Sequence, residues 1–356
     1  MCSFVRAISI GFTAMIRVFL LILVLGGLLF VAAGEVRLRW EAPLAIPAEG
    51  LHLSVVQGDS LRAVVQKLHD TGVVEHPQLL IYYGRWTGLD QQIKRGEYLL
   101  PPQSTAESLL RLLQAGDVIR HQLTLPEGIT LAAALEIMWR QADLSRVLEG
   151  SNDARIVELT KLYAVPEGLF FPDSYQYELG DTDWDIVQRA HKAMTSVLAQ
   201  EWSQRSASLP YKNDYEALIM ASIIERETGL ASERAAIGGV FVRRLQKRML
   251  MQTDPTIIYG LGDAFDGNLK RRHLTDSSNL YNTYRHRGLP PSPIALPGRA
   301  AIHAALHPQD GTALYFVARG DGGHEFSATL AEHNRAVRKY QLQRREDYSS
   351  MKRKQN

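Results

Sequence analysis

The chain has 356 residues, and its 40 Lys or Arg residues nearly balance its 38 Asp or Glu residues. This near-neutral charge argues against a nucleic-acid binder with a broad basic surface. An apolar share of 46% with 22% charged residues is typical of a globular protein. It excludes a disordered chain, and it excludes a transporter with many membrane spans. At about 150 residues per domain, the length predicts two domains.

The chain has a single cysteine, Cys2. One cysteine excludes a disulfide framework within the chain and a zinc site built on paired thiolates. Because Cys2 precedes the apolar run described next, it is also in the wrong place for a lipoprotein cysteine.

Residues 18–34 form an uncharged apolar run of 17 residues. As a helix, this run is roughly 25 Å long at about 1.5 Å per residue, close to the hydrocarbon thickness of a bilayer. Arg6 and Arg17 precede it without any acidic residue, which predicts a cytoplasmic segment 1–17 and an exported remainder. A cleavable signal peptide is the alternative, but the run is longer than a signal peptide's apolar core. We therefore expect a single-pass inner-membrane protein.

Residues 35–50 are interpreted as a connector and residues 51–120 as a small α+β module. The predicted order in this module is strand, helix, helix, strand, helix. Ser60 is expected to cap its first helix, and the sequence at 104–107 predicts a capping box. The stretch from Val56 to Val65 resembles the opening of LysM modules, which bind glycans containing N-acetylglucosamine. An ordinary strand, turn and capped helix is the alternative.

Residues 121–345 are interpreted as a larger mixed α/β domain, so that the fold class of the whole chain is α+β. The predicted features of this domain are a strand at 121–125, a helix at 131–139 capped by Thr130, a packed aromatic wall at 167–175, helices at 183–204 and 214–228, a helix through 249 with an exposed basic face, and a hairpin at 314–326 followed by a helix capped by Thr329. Residues 346–356 form a basic tail, interpreted as a solvated helix end.

The helix expected at 214–228 carries two glutamates near its end, Glu225 and Glu227. At about 100° per residue they are roughly 200° apart, so both cannot face one cleft. Glu225 shares its face with Ala221 and Ser222, small residues that leave room for a substrate. Burial and the negative end of the helix dipole are expected to raise the pKa of Glu225 toward that of a general acid. The alternative is a buried ion pair of either glutamate with Arg226, Arg234 or Arg243.

Polar and aromatic groups suited to sugar hydroxyls and acetamido groups follow this helix. The candidates for orienting the sugar or Glu225 are Glu227, Gln252, Thr253, Asp254, Tyr281 and Asn282. For Thr253 and Asp254, helix capping is the alternative.

A metal enzyme is the competing catalytic class, because His303 and His307 stand at i and i+4 on a predicted helix. No acidic residue lies between them and the sequence assigns no third ligand, so we predict no metal and no cofactor. Serine hydrolysis is disfavoured because Gly-x-Ser-x-Gly does not occur.

Several long motifs occur in the order found in endolytic murein transglycosylases with a YceG-like domain, and the chain resembles this family. The motifs are the runs at 221–228, 252–260, 281–284, 288–291, 297–298, 307–308, 315–318 and 322–326. Residues 288–294 are rich in proline and are called the proline loop below. Pro293 in this loop and Ser174 depart mildly from the family pattern, and neither is a proposed catalytic group.

The resemblance implies cleavage of the β-1,4 bond between N-acetylmuramic acid and N-acetylglucosamine within peptidoglycan glycan strands. It implies a single catalytic glutamate, the first of the Glu-x-Glu-Thr motif, which falls on Glu225. It also implies peptidoglycan synthases of the penicillin-binding class as partners at the membrane. The alternative is a membrane-tethered scaffold that binds glycan without cutting it.

Overall fold

The structure, a computed structural model, describes residues 2–91 and 93–342. It has the expected mixed α/β composition and separates into two compact units. Among the described residues, one unit comprises the chain up to Arg120 together with Glu178–Gly180, and the other comprises His121–Tyr177 and residues 181–342. The predicted basic tail at 346–356 lies outside the described residues.

Helix α1 (Cys2–Glu41) contains the predicted apolar run and continues beyond it. Its segment Phe19–Glu41 is long and apolar enough to cross a membrane, with a mean hydropathy of 2.5. Large apolar side chains such as Leu21 and Phe30 are exposed along this segment. Water is a poor solvent for such a surface, so the segment is suited to lipid.

The first unit follows the predicted order of elements. Its strands and helices are β1 (Leu51–Val55), α2 (Leu61–Asp70), α3 (Pro77–Thr87), β2 (Gly96–Leu100) and α4 (Ala106–Ala115). Strands β1 and β2 pair antiparallel, with Leu51 opposite Leu100. The buried faces of the three helices enclose a separate apolar core.

The two helix starts predicted in this unit have different outcomes. Ser60 caps α2 as expected, since its hydroxyl accepts a hydrogen bond from Ala63 N–H. The capping box of α4 was predicted one residue too early. Thr105, not Ser104, is the N-cap, and its reciprocal partner is Ser108. The hydroxyl of Ser104 instead donates to Pro101 O.

The second unit is mostly helical, with two antiparallel strand pairs among its described residues. Its elements are β3 (His121–Thr124), α5 (Leu131–Trp139), α6 (Ala154–Leu159), β4 (Ser174–Tyr177), α7 (Asp183–Ser203), α8 (Asp214–Glu227), α9 (Arg234–Gln246), α10 (Asp254–Leu261), α11 (Arg271–Thr275), α12 (Arg299–Leu306), β5 (Tyr315–Ala318), β6 (His324–Ser327) and α13 (Leu330–Val337). Strand β3 pairs with β4, which the sequence analysis left inside the aromatic wall, and β5 pairs with β6 as the predicted hairpin.

Helix α8 occupies the centre of this unit. Every residue from Ala217 to Ile224 is buried, and the helix packs against α7, α9 and α12. Its N-cap is Asn213, and Thr228 ends it in an extended conformation. The predicted basic face of the next helix is partly wrong. Helix α9 ends at Gln246, and Arg244 is buried with its guanidinium bound to backbone carbonyls.

The position of the α4 capping box is testable. Replacing Thr105 by Ala is expected to lower the free energy of opening of α4 by about 1 kcal/mol, because the first helical turn loses its side-chain acceptor. Native-state hydrogen exchange of the α4 amides measures this loss. Ser104→Ala is the matched control and is expected to have the smaller effect. A larger effect of Ser104→Ala would contradict the observed cap.

Candidate active site

The two glutamates at the end of α8 have separate sets of partners. Glu225 contacts groups from α9 and from the start of α12, whereas Glu227 contacts Thr253 at the start of α10. This separation agrees with the angle of roughly 200° expected from their spacing.

The carboxylate of Glu225 is held at both oxygens. Its Oε1 accepts a hydrogen bond from Arg234 Nη2 at 3.1 Å, and its Oε2 accepts one from the backbone N–H of Gly298 at 3.0 Å. Only 5% of the Glu225 side chain and 12% of the Arg234 side chain are exposed. A buried carboxylate needs such partners because desolvation without them is costly.

Glu127 is a second carboxylate on the same arginine. Its Oε2 lies 3.6 Å from Arg234 Nη2, the nitrogen that also binds Glu225. Burial of its carboxyl raises the pKa of Glu127 above its usual range, the charge of Glu225 raises it further, and Arg234 lowers it. Because 46% of the Glu127 side chain is exposed, solvent and substrate can reach it. One cation therefore serves a buried carboxylate and an accessible one.

Two glycines bring Glu127 to this position. Gly128 adopts φ +79, which favours glycine, and its N–H donates to Leu296 O while its carbonyl accepts from Arg226. At Gly298, a Cβ atom would lie 1.8 Å from Glu127 Oε1. Glycine at this position both leaves room for Glu127 and presents the N–H that binds Glu225. The Pro-Gly motif at 297–298 thus has a local physical reason.

The sequence analysis assigned Glu127 only to a turn and did not select it as a site residue. A signal was present, because Pro-Glu-Gly occurs twice, at 126–128 and 166–168. In both copies the glycine has a positive φ and the pKa of the glutamate is raised, at Glu167 to about 7 by burial. Glu167 accepts hydrogen bonds from Leu131 N–H and from the Tyr259 hydroxyl.

Two expectations about Glu225 have clear outcomes. An ion pair with one of three arginines is present, and the partner is Arg234. The expectation of free space beside Ala221 and Ser222 is wrong. Both residues are fully buried, and the hydroxyl of Ser222 accepts a hydrogen bond from Ile294 N–H in the proline loop. The loop fills the volume that the small residues leave.

Glu227 is buried in a polar network. Its carboxylate accepts a hydrogen bond from the hydroxyl of Thr253. Burial raises the pKa of Glu227 to about 7, and the hydrogen bond from Thr253 opposes that rise. Thr253 makes no side-chain cap of α10, so its hydroxyl serves Glu227 rather than the helix. Capping alone therefore does not account for Thr253.

The remaining candidates border this network. Asp254 accepts a hydrogen bond from the Tyr284 hydroxyl at 2.8 Å. Gln252 has a left-handed backbone (φ +53), and its N–H donates to Thr283 O. The partly exposed Tyr281 contacts Ser292 in the proline loop through its hydroxyl, at 2.7 Å.

Asn282 is fully buried and its amide is engaged inside the fold. The amide donates to His273 O and Asp276 O, and its oxygen accepts from Tyr284 N–H. Asn282 thus stabilises the loop that carries Tyr281 and Tyr284, because its side-chain amide forms hydrogen bonds within the fold.

None of the groups around Glu225 forms a set of His or Cys ligands. Within the described part of the chain, the candidate metal set is Glu201, His303 and His307, on α7 and α12.

The chain is similar to known proteins over most of its length. The YceG-like family matches residues 53–339. The chain belongs to this family. The resemblance noted in the sequence is thereby confirmed at the level of the family.

Relatives of this YceG-like chain carry a consistent name. The chain is 29% identical over 311 residues to an endolytic murein transglycosylase of Bacillus subtilis, and the match covers 82% of this chain and 84% of that protein. It is 26% identical over 319 residues to one of Streptococcus pneumoniae, covering 80% of this chain but only 57% of that protein. A solved structure of a YceG-like protein from Listeria monocytogenes is similar with a TM-score of 0.50 at 26% identity, covering 81% of this chain and 99% of that one.

The buried glutamates predict a pH dependence of stability. Glu227 binds its proton more tightly in the folded chain (pKa about 7) than an ordinary glutamate does (4.5). The protonated carboxyl therefore adds to the free energy of unfolding below about pH 4.5, and this stabilisation is lost as the pH rises to 7. Without this titrating group, the free energy of unfolding of Glu227→Gln is expected to fall less with rising pH than that of the wild type, by up to about 3 kcal/mol. Urea unfolding at pH 5 and pH 8, followed by tryptophan fluorescence, measures it.

Glu158→Gln, on the exposed side of α6, is the control and is expected to keep the wild-type pH dependence. Glu167→Gln is expected to act in the same direction as Glu227→Gln, since burial raises its pKa in the same way. An unchanged pH dependence in Glu227→Gln would show that this carboxyl is not the titrating group.

Proposed function

We propose that this protein is a membrane-anchored endolytic lytic transglycosylase of peptidoglycan. Its substrate is the β-1,4 bond between N-acetylmuramic acid and N-acetylglucosamine within nascent glycan strands, and its product carries a 1,6-anhydro end. Such cuts release strands during synthesis, so the protein acts as a terminase of glycan elongation. Family membership and the name shared by the relatives support the reaction class.

The observation that carries the proposal is the placement of Glu225 and Glu127 on one arginine. Glu225 protonates the glycosidic oxygen while the bond to the anomeric carbon breaks and an oxocarbenium-like state develops. The muramoyl 6-hydroxyl then attacks the anomeric carbon, and its proton returns to the carboxylate. No water is consumed. The donors at Glu225, from Arg234 and Gly298, stabilise the carboxylate that forms when Glu225 gives up its proton.

Glu127 has a supporting role in this scheme. Burial raises the pKa of Glu127, and its partly exposed carboxyl lies beside Arg234, where a ligand can reach it. Arg234 Nε is buried without a hydrogen-bond partner among the described residues, which leaves one donor for a bound ligand. We propose that Glu127 helps to position Arg234, and through it the carboxyl group of Glu225, at the site.

A hydrolase is the second candidate, and the presence of two carboxylates favours it. Ordinary glycosidases use a pair of carboxyl groups and a water molecule. The two reactions give different ends, since hydrolysis leaves a free reducing muramic acid and transglycosylation leaves an anhydro sugar that is lighter by one water. A scaffold that only binds glycan gives neither product.

The surroundings of the site complete the proposal. Helix α1 anchors the chain in the inner membrane with the N-terminus in the cytoplasm, and the first unit is a LysM-like module that contacts glycan. The strand–helix–helix–strand order of β1, α2, α3 and β2 supports the assignment of a LysM-like module. Tyr281 and the groups around Glu227 orient the sugar or the end of α8. Peptidoglycan synthases of the penicillin-binding class are the proposed partners.

The test is digestion of uncrosslinked glycan strands by the full chain in detergent, with products identified by mass spectrometry. Glu225→Gln is expected to lower the rate at least 100-fold, about the contribution of a general acid. Glu127→Gln is expected to lower it less, by roughly 10-fold, because Arg234 keeps its contact with Glu225 but loses the charged carboxylate that helps to position it.

Glu136→Gln, exposed on α5, is the matched control and is expected to keep full activity. Reducing ends in place of anhydro ends would support the hydrolase. Full activity of Glu225→Gln with loss in Glu127→Gln would make Glu127 the catalytic acid. Intact strands with the wild-type chain would support the scaffold.

A further inference from the structure

Two histidines at helical spacing, His303 and His307, remain outside the proposed site. His303 lies on α12 and His307, four residues later, is the C-cap of that helix, and their rings stack with centroids 4.2 Å apart. The sequence has no acidic residue between them. The fold provides one from α7, about 100 residues earlier.

That residue is Glu201, near the end of α7. Its Oε2 lies 2.9 Å from His303 Nδ1, and its side chain is only 9% exposed. One ligand atom from each of Glu201, His303 and His307 lies within 4.8 Å of the other two. Two imidazoles and one carboxylate are a ligand set that zinc uses in proteins.

Polar groups next to the cluster of Glu201, His303 and His307 form hydrogen bonds that orient its side chains. Arg299 donates to the other carboxylate oxygen, Oε1, at 2.8 Å, and so orients Glu201 without covering Oε2. The hydroxyl of Ser206 lies 3.3 Å from His307 Nδ1. Outer partners of this kind orient metal ligands and set the tautomer of a ligating imidazole.

One atom in the cluster lacks a partner. His307 Nε2 is buried and has no hydrogen bond among the described residues. When Nδ1 donates to the Ser206 hydroxyl, the neutral imidazole carries a lone pair on Nε2. A buried polar atom in this state is destabilising unless something binds it. A cation is suited to this lone pair and also to the adjacent carboxylate.

We propose that Glu201, His303 and His307 bind a divalent transition-metal ion, with zinc as the preferred class. The exposed ring of His303, with 58% of its side chain accessible, gives the ion a path from solvent. Water completes the coordination. The site is structural, and it joins the end of α7 to α12.

This linkage matters because of what lies at the other end of α12. The helix begins after Gly298, whose N–H binds Glu225, and it packs along α8. An ion at its C-terminal end restrains the helix that supplies this donor. The inference does not depend on the reaction proposed above, since it concerns binding and stability.

The experiment uses the full chain in detergent, purified without a polyhistidine tag and treated with chelator. Co²⁺ is titrated as a spectroscopic probe, and Zn²⁺ is then added in competition. One equivalent of Co²⁺ is expected to give the visible absorption of a low-coordinate imidazole site, and Zn²⁺ is expected to displace it. Zn²⁺ is also expected to raise the unfolding temperature.

His303→Ala removes an exposed ligand with little risk to folding, and it is expected to weaken binding more than about 100-fold, above the usual cost of losing an outer partner. Glu201→Gln is expected to weaken binding as well. His69→Ala, exposed on α2, is the matched control and is expected to bind as the wild type does.

Three results would overturn the proposal. The first is no spectral change on Co²⁺ addition to the wild type. The second is binding that His303→Ala leaves intact. The third is binding that disappears instead in Cys2→Ser, which would assign the ion to the chain's single thiol.

Discussion

The buried carboxylate of Glu225 must be neutralised where it lies, and much of the site is arranged around that requirement. Helix α8 is apolar on nearly every side, so its last turns carry Glu225 out of a core that has no other polar partners for it. Arg234 and the N–H of Gly298 supply the compensation from two other segments. Removing either one leaves a buried charge with too few hydrogen bonds, which is costly. The relative positions of α8, α9 and the start of α12 are therefore tied to one carboxylate.

The same constraint explains why the site has an accessible side. Arg234 binds Glu225 on its inner side and reaches Glu127 on its outer side, so that one cation holds a buried and an exposed carboxyl near each other. Burial raises the pKa of Glu127, the nearby charge of Glu225 raises it further, and Arg234 lowers it.

Local signals in the sequence predicted many of the elements. Hydrophobic spacing predicted α2 and α7, a capping residue predicted the start of α5, and the glycine-rich turn predicted the hairpin of β5 and β6. Errors arose where neighbouring residues compete for one role. Ser104 and Thr105 both suit an N-cap, and only the packing of α4 selects Thr105. Arg244 lies on a face that looks basic and solvated, yet its guanidinium donates to three backbone carbonyls and to the side-chain amide oxygen of Gln252.

The angular separation of Glu225 and Glu227 was determined by the sequence alone, because a helix fixes the direction of each side chain within a few residues. The family motifs and the apolar run at 18–34 were likewise visible in the chain itself. Only the tertiary structure decided that Glu127, 98 residues before Glu225, shares its arginine, and that Glu201 lies beside His303 and His307. The physical reason is the same in both cases. Local spacing sets which side chains share a face, but the burial of several helices against one another sets which distant faces meet.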